Sequence, residues 1–159
     1  FVSSINSLDN NQVTWFLALP EPWQLGITKK LLNTYTSIFV TMLENVKPFH
    51  PEPLKYIIEQ LLRKEMIEKE RLFSFLKNYL RRAINPILRR QSSDLLSAYF
   101  NDKDTANLLL SELKLQKQTD VKLAIAKNLL NLKENNVTSS VILEEIVSNP
   151  SGYTFSCGI

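Results

Sequence analysis

Apolar residues recur every three or four positions through nearly the whole of this chain, and that spacing admits helices and little else. Leu54, Ile57, Ile58, Leu61 and Leu62 form one stripe, and Leu72, Leu76, Tyr79, Leu80 and Ala83 form the next. Residues so spaced share one face of a helix and need another element to bury it. Alternation of apolar and polar residues never persists beyond about five positions. Strand is therefore not expected outside the N-terminal "FVSSI".

Prolines and caps divide the pattern. Val13, Phe16 and Leu17 predict a short first helix, with Asp9 able to cap it and Pro20 to end it. "LPEPWQLG" predicts a rigid corner. Leu31, Tyr35, Ile38, Phe39, Met42, Leu43 and Val46 predict one longer helix running to Lys47, which "KPFHPEP" breaks. Asn85-Pro86 interrupts again before Leu95, Leu96, Tyr99 and Phe100, and "NDKD" offers caps to a helix with Ala106, Leu109, Leu110 and Leu113. A last helix carries Val141, Ile142 and Ile146 and stops at "NPSG". The expected class is all-α: antiparallel helix pairs, stacked as repeats or gathered in an irregular bundle. The expected division is an N-terminal helical segment with proline-rich corners over 1–50, and helix pairs over 51–159.

Residues 119–132, "TDVKLAIAKNLLNL", put Val121, Ala124, Ile125, Leu129 and Leu132 on one face, with Thr119 or Asp120 as N-cap and small Ala124 and Ala126 allowing close helix approach. Aligning Leu110 with Leu143 also sets Leu109 on Ile142 and Leu113 on Ile146, an offset of 33 residues. A helix pair recurring at such an interval marks an α-solenoid, while a buried helix of an arbitrary bundle is the alternative. The segment resembles the second helix of a HEAT repeat. Asp120, Val121, Lys122, Ala124, Ile125, Leu129 and Leu132 occupy that motif's places, with Lys122 where Arg is usual and Asn128 where Ala is usual. The resemblance spans residues 104–150 and implies helices over 104–115, 120–133 and 138–148 packed as consecutive neighbours. Residues 54–100 share only the helix-pair shape.

The terminal "SGYTFSCGI" falls where a further repeat would begin its second helix. The expectation is an incomplete repeat, either truncated or docked on a partner or a second copy, with Cys157 as a small buried apolar residue. A frayed tail is the alternative. The chain starts at Phe1 without an initiator Met or a basic leader, as a processed chain or excised fragment would.

Much chemistry lacks its residues. One cysteine and one histidine, Cys157 and His50, cannot build a zinc site or an internal disulfide. This usage fits a reducing compartment, cytoplasmic or nuclear. Gly26, Gly152 and Gly158 stand too far apart for a phosphate-cradling loop. The longest uncharged helical stretch, residues 31–43, is too short to span a bilayer, which takes about 20 apolar residues. Glu65, Glu68 and Glu70, and the pair Glu144 and Glu145, lie among lysines as solvated surface. Ser92, Ser93 and Asp94 lack a histidine for a triad. His50, in its proline turn, is expected to be exposed or capping. Trp15 and Trp23 are expected in the core, with a partner groove as the alternative. No catalytic, metal or cofactor site is expected.

Charge is uneven. Ten basic and four acidic residues lie between Lys55 and Arg90, a net +6 in a chain whose total is +3. Arg81, Arg82 and Arg89 have no acidic residue four positions away and Arg90 has only Asp94, and these four arginines are the candidate site for a polyanion or acidic partner. A solvated face with local pairs such as Glu59–Arg63 is the plainer alternative. The function expected is a non-catalytic scaffold for protein partners. A nucleic-acid or phosphate binder, a capsid-type structural subunit, and a helical domain of a larger protein are the alternatives.

Overall fold

The computed structural model describes residues 10–132. Among them are eight helices and no strand: α1 (Asn10–Ala18), α2 (Glu21–Leu31), α3 (Thr36–Glu44), α4 (Pro51–Arg63), α5 (Lys69–Arg82), α6 (Pro86–Tyr99), α7 (Lys103–Leu115) and α8 (Thr119–Asn131). The described chain is thus all-α. It divides into two compact units between Phe75 and Leu76, inside α5. The Asp9 cap, the 138–148 helix and the segment with Cys157 lie outside the described residues.

In the first unit the proline-rich stretches initiate helices. Pro22 is the second residue of α2 and Pro51 the first of α4. Those positions have no helical partner for an N–H, so proline costs nothing there. The corner expected over "LPEPWQLG" is confined to Leu19 and Pro20: Pro20 is the N-cap of α2 and its carbonyl accepts from Trp23 and Gln24. The stretch around residue 50 contributes to the core. Phe49 is buried, and its ring meets Phe16 edge-on with centroids 6.3 Å apart, while Phe16 meets Phe39 at 5.9 Å.

The helix expected over 31–47 is two elements. Residues 32–35 turn between α2 and α3, where the Thr36 hydroxyl donates to the Leu32 carbonyl at 2.7 Å. Such side-chain bonds compete with the helix ladder, and the apolar period ran through the turn without marking it. Trp15 and Trp23 are not core residues; they are 51% and 68% exposed. On α1 the core face belongs to Val13 and Phe16, and on α2 to the polar pair Gln24 and Thr28.

Gln24 explains that polar core. Its Nε2 donates to the carbonyls of Phe16 and Leu17, and its Oε1 accepts from the His50 backbone N–H at 2.9 Å. One buried amide thus joins the end of α1, α2 and the N-cap of α4, satisfying groups that would otherwise be orphaned.

The second unit comprises the end of α5 with α6, α7 and α8. Its helices are joined by three short connections, 83–85, 100–102 and 116–118. α8 packs on both α6 and α7. Val121, Ile125 and Leu129 of α8 are fully buried, as the sequence pattern predicts. The cap of α8 differs from expectation: Gln118 holds the N-cap position and makes no side-chain cap bond, while Thr119 and Asp120 lie in the first turn. The cap expected in "NDKD" is present, and Asn85, read only as an interruption, is a cap as well. Asp102 accepts from Thr105 N–H at 2.9 Å, and Asn85 accepts from Ile87 N–H at 3.0 Å.

Candidate functional site

The four candidate arginines sit around one end of the second unit, on the last turn of α5 and the first turn of α6. Their environments differ. Arg81 donates Nε–H to the buried carboxylate of Glu112 on α7, 2.6 Å away. Arg89 donates Nε–H to the Ala83 carbonyl at 2.6 Å and Nη1 to Gln116 Oε1 at 2.8 Å. Gln116 in turn donates to the Leu80 carbonyl and to Glu112 Oε2. Arg81, Glu112, Gln116 and Arg89 therefore form one network that fastens the α5–α6 turn to the α7–α8 turn. Arg82 is exposed and Arg90 half-buried.

This network explains a local oddity. Glu112 is only 2% exposed, and a carboxylate is tolerated there because Arg81 and Gln116 both donate to it. Sequence spacing could not find the pair, since its members stand 31 residues apart.

Around the network the turns carry exposed aliphatic side chains. Ile84 is 97% exposed, Leu115 65% and Ile87 45%. Arg82, Lys114 and Lys117 are exposed beside them. From Lys77 to Arg90 there are five cations and no acid. The one exposed acid near these turns is Asp120, in the first turn of α8. The signal for Ile84 was present in the sequence: it follows Ala83, off the stripe of α5, and stands before Asn85-Pro86.

A second polar joint ties α8 to α6. Asn128 Nδ2 donates to Ser93 Oγ at 2.7 Å and to Asp94 Oδ1 at 2.9 Å. Ser92 donates to the Leu88 carbonyl. Ser93 and Asp94 thus hold α6 to α8, while the Ser92 bond stays within α6. The outer face of α8 presents Leu123 at 41% exposure and Leu130 at 53%.

In the first unit His50 caps α4, and its Nε2 lies 2.7 Å from the Leu19 carbonyl oxygen. Glu65, Glu68 and Glu70 are exposed. Among the described residues there is no group of three or more His, Cys, Asp or Glu side chains that could hold a metal ion, and no helix long and apolar enough to cross a membrane. Comparison with protein-family models, with curated proteins and with solved structures finds no match.

Proposed function

We propose that this chain is a non-catalytic helical scaffold, acting inside the cell, whose second unit is built from HEAT-like helix pairs and binds protein partners. The observation that carries this is the spacing of the bonds between helices. Arg81–Glu112, Ser93–Asn128 and Leu80–Gln116 join residues 31, 35 and 36 positions apart. These separations bracket the 33-residue recurrence in the sequence. Stacked helix pairs leave an outer face for partners, and Leu123 and Leu130 of α8 lie exposed on such a face.

The test is quantitative capture of partners by the wild type and by a Leu123→Glu/Leu130→Glu variant of unchanged melting temperature. Partners lost by the variant support the scaffold; an identical set retained by both overturns it. Sedimentation of the purified chain distinguishes a scaffold from a self-assembling, capsid-type subunit.

Nucleic acid is the second reading, favoured by the acid-free run from Lys77 to Arg90. Two features weigh against it. Arg81 and Arg89 are engaged internally, and the neighbouring apolar residues are aliphatic, whereas bases stack on aromatic rings. An Arg82→Glu/Arg90→Glu variant with wild-type retention on heparin would end it.

A further inference from the structure

We propose that the end of the second unit, formed by its α5–α6 and α7–α8 turns, attaches peripherally to an anionic lipid bilayer. This goes beyond the scaffold function, which uses the face of α8. Four observations lead to it.

The first is protrusion. A side chain that is 97% exposed, as Ile84 is, has almost nothing around it and stands out from the surface. Residues lining a groove for a peptide are partly shielded by its walls. A bilayer needs no groove, because its interfacial region deforms around whatever enters.

The second is proximity. The Arg89 guanidinium reaches both the Ala83 carbonyl and the Gln116 side chain. The α5–α6 and α7–α8 turns are therefore joined through one guanidinium and one glutamine side chain. Two helix turns present their aliphatic tips at the same end.

The third is charge. Arg82, Lys114 and Lys117 are exposed on the same turns, while Glu112, two positions before Lys114, is covered and paired with Arg81. Asp120 is the opposing charge. Aliphatic tips among cations match the layering of an anionic membrane surface, with acyl chains beneath phosphates.

The fourth is rigidity. The hydrogen-bonded network beneath the tips holds the two turns together before any surface is met, which lowers the ordering cost of attachment.

Magnitudes agree with reversible attachment. Each cation near an anionic surface strengthens binding about fivefold. Burying one aliphatic side chain strengthens it roughly tenfold or more. Neither set is sufficient alone, as with single lipid anchors.

The experiment is co-sedimentation of the full chain with phosphatidylcholine vesicles, with and without phosphatidylserine, at low and at raised salt. Binding is expected only to vesicles containing phosphatidylserine. Ile84→Asp/Leu115→Asp should weaken it by at least about tenfold, and Arg82→Glu/Lys114→Glu/Lys117→Glu should abolish it. All these side chains are exposed, so circular dichroism and melting temperature should match the wild type. Absence of binding to phosphatidylserine vesicles overturns the proposal. So does a double Asp variant that binds as well as wild type, because charge alone would then account for the attachment. Vesicles ignored by the wild type, together with loss of a protein partner in the same variants, would assign the tips to an acidic protein segment instead.

Discussion

Arg81 and Glu112 form a hydrogen-bonded ion pair across α5 and α7, in which the carboxylate is almost wholly buried and the guanidinium side chain is 40% exposed. The two partners are therefore unequal. Arg81→Ala leaves a buried acid with Gln116 as its remaining donor, and should cost roughly 2 kcal/mol. Replacing both residues with Met should cost less than replacing Arg81 alone, since an apolar pair needs no desolvation. Urea denaturation of the single and double variants gives the coupling. An additive double variant would show that the pair contributes no coupling.

Gln24 is expected to be the most sensitive polar residue of the first unit. Gln24→Ala removes three hydrogen bonds and orphans the His50 N–H and the Leu17 carbonyl, while the Phe16 carbonyl keeps the Leu19 N–H. The expected loss is about 3 kcal/mol, since each buried group left unsatisfied costs about 1–3. Thermal melting checks it.

Leu129 and Leu130 are neighbours in sequence and opposites in space, at 0% and 53% exposure. Leu129→Ala should cost roughly 2–5 kcal/mol as a core truncation. Leu130→Ala should stay within about 0.5 kcal/mol. Equal losses would mean that α8 packs by another face.

Two helices end on residues that rarely take the backbone they adopt. Val46 and Glu65 have φ of 53° and 50°. In each case the next N–H bonds back over the helix end, Lys47 to the Met42 carbonyl and Met66 to the Leu61 carbonyl. Glycine is the usual residue at such a cap. Glu65→Gly should stabilise by about 0.5–1 kcal/mol, because the left-handed conformation costs a residue with Cβ about 1–2 and glycine returns part of this as chain entropy. Val46→Gly should gain less, because the half-buried valine side chain is lost. Melting temperatures of both variants test this.

What the sequence disclosed depended on range. Val121, Ile125 and Leu129 announced the buried face of α8, because helical burial is periodic over neighbouring positions. The start of α2 was hidden because Pro22 signals a break in a helix interior and a beginning at a first turn. The α2–α3 turn was hidden because the apolar period of 31–43 continues across it. Trp15 and Trp23 were misplaced because aromatic character alone says nothing about which face a residue takes. At the candidate site, the sequence could be read for pairing only within each helix, where Arg81, Arg82 and Arg89 have no acid four positions away. Glu112 and Gln116, which engage two of them, come from a different helix pair, and no local rule reaches that far.

The joint around Gln24 also contains the chain's only histidine. A carbonyl oxygen can only accept, so the Nε2 of His50 that faces Leu19 must carry the proton. The neutral ring is thereby fixed in a single tautomer for as long as α1, α2 and α4 stay assembled. Nitrogen-15 labelling of histidine would give one imidazole spin system, needing no assignment. Its tautomer signature would serve as a built-in gauge of whether this corner of the protein is open or shut.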